Sequence, residues 1–222
     1  MVKKESQRYV VLVDSSVANL GSVFKALKKV GVNTRVSGDS HVIREADGVV
    51  FPGVGSFAQA MLSLEEKRLN RVLVESVASG KPFLGICLGL QVLFASSEES
   101  SEQPCENNNE KKVDGLNMVA GEVKHFPPGQ PVPHVGWNRA SLRQVSHPLF
   151  AGLPEAPYFY FTHSYYVHPL EPEVELAVTN YGIEFVSAIA RDNLMGVQFH
   201  PEKSGPEGLH LLNNFGNIVI DP

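Results

Sequence analysis

Three short apolar runs in the first half of the chain, YVVLVD (Tyr9 to Asp14), DGVVFPG and PFLGI, are each followed by a stretch with helical spacing. This alternation constrains the fold more than any other feature. Runs of Val, Leu, Ile and Phe without polar alternation suit strands buried on both faces, as in a parallel sheet covered by helices. Val23, Leu27 and Val30, with Phe24 beside them, predict a helix from about Asn19 to Val30 that Gly31 stops. Helical spacing over Phe57 to Gly80 puts Leu69, Val72 and Leu73 on one face, and LGLQVLFAS after PFLGI predicts a further helix. The expectation is an α/β fold with a mostly parallel central sheet and helices on both faces.

The second half carries another pattern. MVAGEVKHF, YFYFTHSYYV, VELAVTN and FVSAIAR read as antiparallel strands joined by turns containing Pro and Gly, LMGVQF as a last strand before His200, and about Pro206 to Val219 as a closing helix. SSEESSEQPCENNNEKK (Ser96 to Lys112) has no large apolar residue. It is expected to be a polar surface insertion, at about 96–112, within a single domain spanning 1–222. A hydrophobic fraction of 43% suits one packed core of this size. The net charge of −5 gives no general attraction to nucleic acid or anionic membranes, so the expected partners are small molecules or protein. The lead MVKKESQRYVVLVD has too short an apolar run for a signal-peptide core or a bilayer span. Two cysteines, Cys87 and Cys105, make a poor disulfide framework, and the expected compartment is a reducing cytoplasm. No paired CxxC or HExxH spacing occurs, so no metal or organic cofactor is expected.

Chemistry enters at PFLGICLGLQVLF. Cys87 lies between a buried strand and a helical pattern, with Gly85 two residues before and Gly89 two after. G-x-C-x-G in that context matches a nucleophile elbow, whose strained turn lifts the side chain out while the glycines permit close backbone packing. A sulfur at the first turn of a helix also meets the positive end of the helix dipole. The competing reading is a cysteine that is simply buried. A thiolate needs a proton carrier, and FHPE offers His200 just past a strand with Glu202 two residues on, on the same side of an extended segment. As a bare tripeptide, this can equally be an ordinary turn. Pro52, Gly53, Val54 and Gly55 in FPGVGSF follow a strand, and their amides, with that of Leu88, can cradle an oxyanion, unless PGVG is only a tight turn. The other seven histidines lack a comparable strand-end context with a nearby carboxylate.

FPGVGSF, GICLGLQ and VQFHPEKS, in this order over nearly the whole length, resemble the triad-type (class I) glutamine amidotransferases. PHVGWN (Pro133 to Asn138) and the Asn19-Leu20 helix start are similar to the glutaminase subunit of imidazole glycerol phosphate synthase in particular. The resemblance implies a flavodoxin-like fold and glutamine hydrolysis through a γ-glutamyl thioester on Cys87, with His200 as acid/base and Glu202 as its orienter. It implies an oxyanion hole from Val54, Gly55 and Leu88, and L-glutamine contacts from Gly53, Gln91, Glu99, Ser164 and Tyr165. Glu99 would meet the substrate ammonium; the residues alone also allow a solvated loop charge. Tyr158, Phe159 and Tyr160 resemble an aromatic run near the family's subunit interface. The implied partner is a separate (β/α)8 cyclase subunit, forming a heterodimer, that uses the ammonia to make imidazole glycerol phosphate and aminoimidazole carboxamide ribotide in histidine biosynthesis. The turn DSSVAN departs from the family pattern by placing Ser15, Ser16 and Ala18 where an aromatic residue and glycines are usual, and the insert around Cys105 exceeds the usual length. Competing readings are the glutaminase of another synthase, which GICLGLQ with PHVGWN disfavours, a catalytically silent regulatory homologue, and a peptidase.

Overall fold

A parallel order of strands follows from the alternation at the start of the chain. The computed structural model describes residues 8–16, 19–99 and 112–221. Strand β1 (Val10–Val13) is buried along its length, with Val11 and Val13 in one core and Val10 and Leu12 in the other. Alternate residues of a strand face opposite ways, so a run with no polar residue demands cover on both sides. Helix α1 (Leu20–Lys29) supplies cover by burying Val23, Ala26 and Leu27 in the core that holds Val10 and Leu12. Val23 and Leu27 each contribute about 1.5–3 kcal/mol through burial. Next come β2 (Thr34–Ser37), α2 (Ser40–Glu45) and β3 (Gly48–Gly53), then α3 (Phe57–Glu66) and α4 (Asn70–Ala78) on the opposite face from α1. The 57–80 stretch, expected as one helical run, is two helices, because the chain reverses at Arg68 (φ 56°).

Strand β4 (Phe83–Cys87) is followed by α5 (Leu88–Gln91), which is a single turn, and then by β5 (Phe94–Ser97). The helix expected over LGLQVLFAS therefore stops early. Val92, Leu93 and Phe94 are wholly buried, so their apolar run carries no period that separates helix from strand. The polar insertion also begins later than expected: Ser96 and Ser97 belong to β5, and Ser97 is fully buried. Its residues 100–111, with Cys105, lie outside the described residues, as do Val17 and Ala18 of the atypical turn.

The rest of the chain is β6 (Val113–Asp114), β7 (Val119–His125), β8 (His134–Arg139), β9 (Ser141–Leu142), β10 (Tyr158–His163), β11 (Tyr165–Pro169), β12 (Glu175–Tyr181), β13 (Ile183–Arg191), β14 (Leu194–Val197) and α6 (Gly205–Ile220). One sheet runs β2-β1-β3-β4-β14-β13-β11-β7-β5-β6, with β12 and β9 branching from β13. The strands from β2 to β14 are parallel, and β13, β11 and β12 add the antiparallel region expected of the second half. β8 and β10 form a separate two-stranded ribbon. Helix α6 covers the same face as α1 through Leu211, Leu212 and Phe215. The decisive feature is the last strand: β14 inserts beside β4 in parallel register, Val197 opposite Ile86, so the residues leaving β14 meet those leaving β4.

Candidate active site

Cys87 ends β4 at φ 56°, ψ −112°, a conformation that costs a non-glycine residue about 1–3 kcal/mol and persists only where the surroundings enforce it. The surroundings here are backbone. A Cβ on Gly89 would stand 1.8 Å from the Phe51 carbonyl oxygen, and one on Gly85 would stand 2.5 Å from the Gly89 oxygen. The two glycines flanking the sulfur therefore let α5 fold back onto β3 and β4. Since α5 has only one turn, little macrodipole acts on the sulfur, and charge must be balanced by side chains.

The balancing group is His200. Its backbone is clamped at the end of β14, its N–H donating to the Tyr160 carbonyl at 2.9 Å and its carbonyl accepting the Ser204 hydroxyl at 2.6 Å. The expected extended His-Pro-Glu segment is extended only at His200; Pro201–Lys203 form a 3-10 turn, which still delivers Glu202 Oε1 to His200 Nδ1 at 2.9 Å. Both side chains are almost fully enclosed, at 4% and 2% exposure. Burial pushes the imidazole toward neutrality, but hydrogen bonds to Cys87 and Glu202 and their negative charges outweigh it and raise its pKa to about 9. His200 therefore carries its proton at neutral pH. Glu202 Oε2 has no hydrogen-bond partner among the described residues, so the carboxylate is committed to the imidazole.

A cavity of about 310 Å³ opens beside the sulfur. It lies at the small end of the range for ligand sites, roughly 300–1,000 Å³. Val54, Gly55, Cys87, Leu88, Gln91, Glu99, Ser164, Tyr165 and His200 line it, bringing together nearly all the residues singled out in the sequence. Gly53 does not line it. In register with Cys87 at the end of β3, Gly53 packs against Leu88 and supports the elbow. Glu99 is no solvated loop charge: half-buried, it accepts the Phe57 N–H at the start of α3 at 2.7 Å, and burial raises its pKa against that bond and the nearby His125. Of the aromatic run, Phe159 is core, stacked on Phe199 with ring centroids 3.8 Å apart, whereas Tyr158 is exposed.

Three residues that the sequence reading passed over belong to this site. Gln198 is fully buried with Nε2 3.6 Å from Cys87 Sγ. His163 lines the cavity, and His134 faces it across the β8–β10 ribbon, Nδ1 to Nε2 3.0 Å. Desolvation holds both imidazoles neutral, His134 at about 4 and His163 at about 3, and His134 stacks between Phe161 and Tyr181. The signal for His163 was the alternation in YFYFTH, which puts it on the buried face with Phe159 and Phe161. Among the described residues no cluster of three or more His, Cys, Asp and Glu could hold a metal ion, and no helix is long and apolar enough to cross a membrane.

Residues 11–218 match the family model described as Glutamine amidotransferase class-I. The chain is similar to "Imidazole glycerol phosphate synthase subunit HisH" of Moorella thermoacetica, 46% identical over 96% of each chain. The protein of the same name from Synechocystis is 47% identical over 93% of this chain and 95% of its own. Among solved structures, that of PurLQS from Thermotoga maritima superposes with a TM-score of 0.73 at 14% identity, covering 95% of this chain and 98% of that one. A solved glutamine amidotransferase gives 0.68 at 18% identity over 93% of this chain and 98% of its own. At these identities the two structures speak for the fold alone.

Proposed function

Because the chain belongs to the class-I glutamine amidotransferase family, we propose that Cys87, His200 and Glu202 are its catalytic triad and that the cavity beside them receives L-glutamine. The observation that carries this is the strained cysteine and His200 meeting at one cavity, with His200 held by a buried carboxylate. The chain works as the glutaminase subunit of an imidazole glycerol phosphate synthase, in histidine biosynthesis, as its near-half identity to such subunits over almost their full length supports.

The geometry suits the reaction in two halves. The Cys87 thiolate attacks the carboxamide carbon of glutamine, and the carbonyl oxygen takes up the negative charge, for which the amides of Val54, Gly55 and Leu88, residues that line the cavity, are the proposed donors. As the C–N bond breaks, His200 gives its proton to the leaving nitrogen; ammonia departs and a γ-glutamyl thioester remains. His200, now neutral, takes a proton from water, whose oxygen attacks the thioester. Glutamate leaves and the thiolate is restored, so that glutamine and water have become glutamate and ammonia. Glu202 holds the imidazole through Nδ1, which turns Nε2 to the chemistry. Glu99, Gln91, Ser164 and Tyr165 are the proposed contacts for the amino-acid end of the substrate, Glu99 providing the counter-charge for its ammonium.

Ammonia is used by a cyclase subunit, to which the lyase chemistry belongs. We take that partner to be a (β/α)8 barrel forming a heterodimer in the cytoplasm. Val135, Trp137 and Tyr158, exposed at 56%, 56% and 46% on the β8–β10 ribbon, are the surface proposed to meet it. The continuous sheet supports reading the chain as one amidotransferase domain. The assay that tests site and partner together is glutamine hydrolysis with and without the cyclase and its ribonucleotide ligand. Negligible turnover by the isolated chain and strong stimulation by the pair are expected. Full activity without a partner would count against gating, and activation only by a different co-purifying synthase would assign the chain elsewhere.

The raised pKa of His200 makes a second prediction. As the acid for ammonia departure it must be protonated, so kcat/KM of the assembled enzyme is expected to fall on the alkaline side with an apparent pKa of about 9. Because the folded value lies above the ordinary 6.5, the same proton also stabilises the fold fully below that pH, and the contribution is lost as pH rises through about 9. An alkaline limb centred near neutrality would place the proton on another group.

A further inference from the structure

Gln198 follows β14 and has no exposed surface, and its side-chain amide meets two partners: Nε2 lies 3.6 Å from Cys87 Sγ, and Oε1 accepts from Gln91 Nε2 at 3.1 Å. Which end of an amide is nitrogen is decided by the neighbours, and here one backbone atom decides. The Tyr165 carbonyl can only accept. It takes the Nδ1–H of His163 at 2.8 Å and the Nε2–H of Gln91 at 2.9 Å. Gln91 must therefore present its NH2 on this side, and Gln198, which receives from the same nitrogen, must present its oxygen. That leaves the Gln198 NH2 facing the sulfur. On the other branch, His163 has committed its proton to Tyr165, so its Nε2 accepts the Nδ1–H of His134, whose own Nε2 faces Asn138 Nδ2 at 3.3 Å. Held neutral by burial, the two imidazoles keep this arrangement and anchor the carbonyl.

We propose that Gln198 is a further catalytic residue, an amide donor to the Cys87 sulfur whose polarity is set by the Tyr165 carbonyl through Gln91. A donor to an anionic sulfur makes a charge-assisted bond, and its value rises where water is excluded. It holds the nucleophile in place before attack and receives it again when the thioester breaks. The same relay occupies Gln91 Nε2, so Gln91 meets a ligand through Oε1 alone, as an acceptor for substrate N–H groups. The contact with the sulfur stands independently; its part in turnover rests on the glutaminase reading.

The test compares wild type with Gln198→Met, which keeps the volume without polar atoms, and Gln198→Glu, which keeps an oxygen for Gln91 but removes the donor. The readouts are the rate of carboxamidomethylation of Cys87 by iodoacetamide at neutral pH, followed by site-resolved mass spectrometry, and kcat and KM for glutamine beside the cyclase. Both variants are expected to alkylate about tenfold more slowly or worse, with kcat down by about tenfold or more and KM within about twofold. Unchanged alkylation in both folded variants overturns the proposal, and so does a loss in Gln198→Met that Gln198→Glu restores, since that would assign Gln198 the mere support of Gln91. Should Gln198→Met not fold, Gln91→Met, which frees Gln198 to turn its oxygen to the sulfur, must slow the same alkylation. A wild-type chain whose Cys87 alkylates faster than in the variants but that hydrolyses no glutamine beside the cyclase would overturn the glutaminase reading and leave the sulfur contact standing.

Discussion

Cys87→Ala is expected to lower glutamine hydrolysis by the assembled enzyme about 10⁵-fold or more, the scale seen when a covalent nucleophile is removed and only binding and oxyanion stabilisation remain. His200 and Glu202 can still move a proton, but the sulfur that carries the acyl intermediate is gone from the elbow. The fold should barely notice, because the cysteine is 7% exposed, lines the cavity, and loses a single atom; thermal unfolding should shift by no more than a few degrees. Labelling gives the complementary result: an electrophilic glutamine analogue should modify Cys87 in the wild-type complex and spare Cys105. Appreciable turnover in Cys87→Ala would remove the thioester mechanism altogether.

Gly89→Ala is expected to be the most damaging single methyl group near the site. It would fall 1.8 Å from the Phe51 oxygen, where β3 is buried on both faces and neither backbone has room to retreat. We expect a cost of about 3 kcal/mol or more, read as a melting temperature lower by roughly 6–12 °C or as lost soluble protein. Gly55→Ala provides the contrast. Nothing lies within 4 Å of that position, and the penalty there is the backbone strain of φ +97° alone, about 1 kcal/mol. If the two alanine variants melted together, the tight contact between α5 and β3 would not be what holds the elbow.

Residues that announce themselves locally were readable in the sequence. β1, β3 and β4 are uninterrupted apolar runs, α1 and α6 have clear faces, and GICLGLQ and FHPE carry the proposed nucleophile and the proposed acid/base within a few residues each. What escaped depends on partners distant in sequence. β2 is a half-exposed edge strand, TRVS, with no apolar signal, and α2 is six residues long. YFYFTHSYYV splits at Ser164 because β10 pairs with β8 while β11 joins the main sheet, a choice that no local pattern records. His163 and His134 failed a criterion that looked for carboxylates nearby in sequence, whereas each has the other as its partner, directly across two strands. Gln198 looked like strand filler; only the register of β14 beside β4 brings it to the sulfur.

That register has a consequence for how the protein is made. Gln198 and Cys87 are 111 residues apart, so a nascent polypeptide carries the cysteine long before the segment that activates it emerges from the ribosome. Until Leu194 to Val197 slot in, the row of amides and carbonyls along Phe83 to Cys87 has no neighbour on that side and is open to the wrong one. Translation interrupted before that point should yield a product that is both inert and prone to clump, so ammonia release is withheld until the late-emerging segment docks.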